Sequence, residues 1–270
     1  MLLGYTLPRT PLGLAAITPP PPWHYSSDIV GIEYWADPSL TAALLPPGLS
    51  VDPETNGHSA LLFLDWQFTA QNEELLDPSR FQYREAFVLI DAMRRDTPVS
   101  FCPFIYVDND AALARGWAQG FPKRLGSIFQ TRSFAAPSAA AAPVARGSRF
   151  AGSLSTHGVR LAEAIVTLQQ PEPDIRKIFS RPTVNLRYFP RLEAQEQHRP
   201  AVNELVLSLT DDLKIVDLWT GDGEIRMPAV AGEELSMLAP VRMGRGFRCS
   251  MSYSVTDLKI LERFDQPSAF

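Results

Sequence analysis

The chain has 270 residues, 45% of them hydrophobic and 20% charged, the balance of a globular protein long enough to bury a sizeable core in one large domain. A formal charge of -5, with 25 basic residues scattered rather than striped, excludes the electrostatic footprint of a nucleic-acid binder. The two cysteines, Cys102 and Cys249, lack CxxC spacing, which excludes a secreted disulfide framework, and both read as buried small hydrophobes.

The first 24 residues, MLLGYTLPRTPLGLAAITPPPPWH, form a proline-rich arm of a single domain spanning 1–270. Its leucines follow no basic segment and its prolines interrupt every apolar run, so neither a signal peptide nor a membrane span is expected, and the expected location is cytoplasmic. Pro19 to Pro22 predict a stretch of polyproline II. Asp37-Pro38-Ser39 is a cap followed by proline at the first helical position, opening a helix that Pro46-Pro47 stops after Leu45. A strand is predicted over Ala60 to Thr69. In Phe81 to Leu89, the odd positions Phe81, Tyr83, Glu85, Phe87 and Leu89 share one face, which sets a carboxyl in an aromatic row with Arg84 pointing the other way.

Another strand spans Val99 to Val107, and Asp108-Asn109-Asp110 then caps a helix that ends at Gly120. Ala135 to Val144 is a low-complexity exposed loop. Further strands are expected at Arg160 to Leu168, Thr183 to Phe189 and Glu204 to Leu218. The last, Phe247 to Val255, alternates so that Tyr253 is the one strong hydrogen-bonding tip on its apolar row. Many strands and few short helices predict an α+β domain around a closed or highly curved antiparallel sheet.

Several chemistries lack their residues. The sequence has no GxSxG elbow, no phosphate-binding glycine loop and no GxGxxG after a strand, and His24, His58, His157 and His198 have no metal-ligand spacing, so no metal or nucleotide cofactor is expected. The segment Gly120-Phe121-Pro122-Lys123-Arg124-Leu125-Gly126 is different, because it sets two cations among apolar, turn-forming residues. Lysine is a nucleophile only as the neutral amine, and its free pKa of about 10.4 leaves roughly one in a thousand neutral near pH 7. Desolvation by Phe121 and its neighbours, and positive charge from Arg124, are the two effects that lower it, with desolvation expected to be the larger. An extended chain here would point Arg124 away from the amine.

Tyr106-Val107-Asp108-Asn109-Asp110 followed by Phe121 to Gly126 resembles the Schiff-base segment of the acetoacetate decarboxylase superfamily. Tyr34 to Leu49, Arg181-Pro182 with Thr183 to Leu186, and Trp219-Thr220-Gly221 extend the likeness over most of the chain. The resemblance implies a cone-like antiparallel β-barrel or curved sheet with a few short helices, in a homo-oligomer. It implies Lys123 as the imine-forming lysine and Glu85 as a pocket carboxylate, and it sets Asp65 where decarboxylases have a second, longer carboxylate. Two departures stand out: Tyr25-Ser26-Ser27-Asp28 lacks the arginine that decarboxylases carry near the first core strand, and Arg124 replaces a second lysine. The spacing of Gln119 and Lys123, with an inward Tyr253, is closer to the divergent aldolase-dehydratases that use pyruvate.

The expectation is therefore a lysine Schiff-base lyase that condenses pyruvate with an aldehyde. Lys123, Glu85 and Tyr253 carry the chemistry, and Gln119, Arg124, Asp65 and Phe121 hold the substrate. A decarboxylase of a β-keto acid is the alternative, and a non-enzymatic barrel that binds small acids comes third. Partners are small keto acids and aldehydes, with no nucleic acid and no membrane.

Overall fold

The computed structural model describes residues 1–174 and 180–264. The arm reaches the first strand, β1 (Trp23–Trp35), with a cis peptide between Pro21 and Pro22 in place of the continuous polyproline helix expected there. The Trp23 indole N–H donates to the Pro19 carbonyl at 2.9 Å and ties the arm to that strand. Next come α1 (Pro38–Leu44), β2 (Ser50–Val51), β3 (His58–Thr69), α2 (Pro78–Phe81), β4 (Gln82–Arg94), β5 (Thr97–Val107) and α3 (Asp110–Ala118). The second half is almost all strand: β6 (Lys123–Leu125), β7 (Ser127–Gln130), β8 (Arg149–Thr156), β9 (Val159–Pro171), β10 (Val184–Phe189), β11 (Val202–Arg226) and β12 (Arg242–Arg263).

All twelve strands join one sheet in the order β6-β5-β4-β3-β1-β12-β11-β9-β8-β7, with β10 added beside β11 and β2 beside β4. Every named pairing is antiparallel except β5 with β6. The sheet is mixed and not closed, since β6 and β7 end it without pairing. Of the closed or highly curved sheet expected, the curved form is found: the sheet is open and folded over so that β7 packs against β3, β4 and β5. No helix among the described residues is long and apolar enough to cross a membrane.

Alternation explains how one sheet makes both a core and a pocket. On β4, Ala86, Val88 and Ile90 point into a core shared with Phe63, Phe150, Leu154 and Val166, while Tyr83, Glu85, Phe87 and Leu89 face the other way, into a cavity. All seven expected strand windows fall on strands, except that Phe81 ends α2 and stacks on Phe68 instead of opening β4, and Thr183 makes only an isolated bridge to Ser100 before β10. β1 has no such alternation in its second half, because Ile29 to Tyr34 are buried whichever way they point. Cys102 and Cys249 are free and buried, with their thiols pushed up by burial, Cys249 to about 12.

Candidate active site

The Asn109 side chain, not Asp108, caps α3, accepting from the Ala112 N–H at 2.8 Å. Asp108 instead pairs with Arg84, whose guanidinium lies over Phe129 on the outer face. The helix runs out at Gln119 and Gly120, and the glycine's φ of 82° is the left-handed turn that redirects the chain. Phe121 and Pro122 lead straight into β6, where Lys123 lies beside Ile105 of β5 in a parallel ladder. The Trp117 indole donates to the Lys123 carbonyl at 2.8 Å and pins this corner.

Alternation along β6 then separates the two cations. Lys123 is 7% exposed, and its Nζ donates to Glu85 Oε2 at 2.5 Å. The second carboxylate oxygen, Oε1, accepts from the Trp66 indole at 3.2 Å. Burial holds the Lys123 amine below the ordinary lysine range, opposed by Glu85 and reinforced by the charge of Arg115. The lysine stem runs against Gly116 of α3, where a Cβ would stand 2.2 Å from Lys123 Cδ. Gly116→Ala is expected to displace the amine and slow imine formation by about a hundredfold, the usual result of misplacing a reacting group by an ångström. Single-turnover borohydride labelling with pyruvate checks this, and a wild-type rate would contradict it.

Arg124 turns outward. Its guanidinium forks onto Glu233 at 2.7 and 2.8 Å, and Tyr106 donates to the same carboxylate at 3.2 Å. It does not line the cavity, so the structure does not bring it to the substrate position expected for it. Arg124→Ala should change the apparent pKa of imine formation, read from a pH profile of labelling, by less than about one unit or ~1.4 kcal/mol. A displacement of several units would mean that Arg124 governs the amine.

The cation that does act on Lys123 is Arg115, which sequence reasoning missed. It is 2% exposed, and its guanidinium sits 3.8 Å from the centre of the Phe68 ring, 5.6 Å from Tyr25 and 5.5 Å from Tyr83. Arg115, Gln119 and Lys123 follow one another at four-residue steps, and Arg115 lies on the buried side of α3 with Ala111, Ala112 and Gly116. That periodicity was the available signal.

Lys123, Glu85, Tyr253, Gln119 and Phe121 all line one cavity of about 680 Å³. Tyr253 stacks on Tyr25 at 5.2 Å and meets Trp66 edge-on at 5.8 Å. Burial raises its phenol well above the ordinary tyrosine range, so near neutral pH it is a hydroxyl that can donate a proton. The Gln119 amide N–H donates to the Arg115 carbonyl at 3.3 Å, and its oxygen accepts from the Ser208 hydroxyl at 3.2 Å. Asp65 stands apart: alternation on β3 sends Trp66 to the cavity and Asp65 to the other face, where it pairs with Arg132 at 2.8 Å.

An open mixed sheet folded over a deep pocket, with a buried lysine against a carboxylate, defines an enzyme of the acetoacetate decarboxylase-like class. The chain belongs to the acetoacetate decarboxylase family, whose pattern matches residues 6–264, and a lyase is its coarse class. It is similar to the enduracididine biosynthesis enzyme MppR, solved with the condensation product of pyruvate and imidazole 4-carboxaldehyde: 33% identity, TM-score 0.90, covering 97% of both chains. MppR solved with pyruvate matches at 32% identity and TM-score 0.89, over 97% of this chain and 99% of that one. An acetoacetate decarboxylase-like enzyme from Sphingomonas wittichii RW1 matches at 27% identity and TM-score 0.88, over 97% of this chain and all of that one, 100%. Among curated proteins, none matches the chain.

Proposed function

We propose that the protein is a Schiff-base lyase that condenses pyruvate with an aldehyde and eliminates water. The observation that carries this reading is the Lys123 amine, buried and depressed in basicity, sharing one cavity with Glu85 and the neutral Tyr253 hydroxyl. The likeness to MppR, solved with pyruvate and with a condensation product, supports the choice of donor.

Lys123 passes a proton to Glu85 and, as the neutral amine, attacks the ketone carbon of pyruvate; loss of water and return of that proton leave a protonated imine. Glu85, at 2.5 Å from the amine, is placed to take a methyl proton and convert the imine to an enamine. The enamine carbon then forms a bond to the aldehyde carbon, while Tyr253 donates a proton to the developing alkoxide. Tyr253, left as the phenolate, takes a second proton from the former methyl carbon, Glu85 gives its proton to the departing hydroxyl, and loss of water leaves a conjugated imine with both groups restored. Hydrolysis by one water frees the keto acid and restores Lys123, so the balance is pyruvate plus aldehyde to unsaturated keto acid plus water. Gln119 holds the pyruvate carboxylate without adding charge, Phe121 walls off solvent, and the charge of Arg115 adds to the burial that lowers the basicity of the amine.

The family match favours a second reading, decarboxylation of a β-keto acid through the same imine. Borohydride reduction with pyruvate tests the common part: the protein should gain one substrate mass, and no gain would leave only an acid-binding role. Carbon dioxide release from acetoacetate should be slow, and rapid release would favour the decarboxylase. We also propose a homo-oligomer, supported by the exposed apolar side chains of Leu209, Leu213 and Val216 on β11. A cytoplasmic setting is supported by the two free cysteines.

A further inference from the structure

The cavity extends far beyond the lysine. Glu85 and Asp91 lie on the same face of β4 and both line it, six residues apart, or roughly 20 Å at about 3.3 Å per residue. Between them the wall is apolar, formed by Ala60 and Leu62 of β3, Phe87 and Leu89 of β4, and Ile105 of β5. Even at ~30 Å³ for each of its heavy atoms, the volume a water takes up in the liquid, pyruvate fills only about 180 Å³. Most of the 680 Å³ is left for the second substrate.

The far end is charged, and among the described residues its cations outnumber its carboxylates. His58 Nδ1 lies 2.9 Å from Asp91 and its Nε2 3.5 Å from Glu33. Burial pulls the imidazole down, but these two carboxylates outweigh it and bring it to about 9, so it is a cation near neutral pH. Arg245 pairs with Glu33 at 2.7 Å, and Arg181 with Asp52 at 2.7 Å and Asp91 at 3.4 Å. Among the described residues, three carboxylates at this end, Glu33, Asp52 and Asp91, face three cations, His58, Arg181 and Arg245. Arg242 is the fourth cation. It lines the same end, its guanidinium 3.3 Å from the centre of the Trp35 ring, and among the described residues it has no carboxylate partner.

Resting on the reading of Lys123 as the imine-forming group, we infer that the acceptor is an extended aldehyde with an apolar body and a carboxylate at the end opposite the formyl group. Its body lies along Leu62, Phe87 and Leu89, and its carboxylate is received by Arg242. Arg242 is exposed at the rim, so a neutral end group would forgo its charge to water, a carboxylate would use it, and an ammonium would be repelled by it. Stacking on Trp35 holds the guanidinium in one orientation, so little side-chain freedom is lost on binding.

The test uses a long-chain ω-formyl carboxylate and its methyl ester as acceptors with pyruvate, together with the corresponding ω-hydroxy carboxylate and its ester as unreactive ligands measured by calorimetry. Wild type should prefer the acid over the ester by about tenfold or more in KM and in Kd, the range of a charge-assisted hydrogen bond. In Arg242→Gln that preference should vanish, with pyruvate labelling of Lys123 unchanged. Equal binding of acid and ester by wild type, or a preference that survives Arg242→Gln, overturns the subsite. The calorimetric arm needs no turnover: an acid preference lost in Arg242→Gln supports the subsite even if the chemistry proves to be decarboxylation. Failure of pyruvate labelling would count against the lysine reading alone.

Discussion

Lys123→Ala should abolish borohydride labelling by pyruvate and lower condensation by about four orders of magnitude or more, the scale on which removal of a nucleophile acts. Among the described residues no other lysine lines the cavity, so no residual adduct is expected. The variant needs a control, because taking one partner from a buried ion pair costs about 3–5 kcal/mol through the charge left behind. Lys123→Ala/Glu85→Gln removes both members and should recover much of that stability while remaining unlabelled. The pH profile of the native protein carries a second signature. Burial and Arg115 lower the amine's pKa, so labelling should rise with pH and level off below the ordinary lysine value of about 10.4. A pyruvate adduct on the alanine variant, or a profile still rising at that value, would remove Lys123 from the mechanism.

Tyr253→Phe should separate imine formation from the condensation and dehydration steps. The ring stacks on Tyr25 and meets Trp66, and phenylalanine keeps those contacts while losing the hydroxyl. Pyruvate labelling of Lys123 should therefore persist. Formation of the conjugated keto acid should slow by a factor on the order of a hundred or more, the weight of one acid-base group. Because burial holds the phenol protonated, the missing function is a donor, and the slowing should be seen throughout the neutral range. If imine formation and condensation slow together, the hydroxyl shapes the pocket and moves no proton.

What could be read from the sequence was local. The cap at Asn109, the left-handed Gly120 and the alternation of β4 are signals contained within a few residues, and they placed Lys123 past the end of a helix and Glu85 on an aromatic face. Arg115 was illegible because its surroundings come from β1, β3 and β4, which contribute Tyr25, Phe68 and Tyr83 from distant parts of the chain. Arg124 and Asp65 went the other way. A motif position or a resemblance ties each to the substrate, yet the pleat of β6 and β3 turns both from the cavity, to Glu233 and Arg132. His58 read as an isolated histidine, since its carboxylates reach it only when β1 and β4 flank β3. That the curved sheet is open and not closed has a similar cause: whether β6 and β7 pair depends on their registers with the rest of the sheet, which alternation within a strand does not encode.

The central claim is that the lysine imine is used to make a carbon–carbon bond. The most direct test is to incubate the native protein with pyruvate and an unsaturated or aromatic aldehyde, follow near-ultraviolet absorbance, and take the product mass. If the claim holds, absorbance should grow from a conjugated keto acid with the mass of pyruvate plus aldehyde less one water. No such product, under conditions in which acetoacetate rapidly yields carbon dioxide, would contradict it.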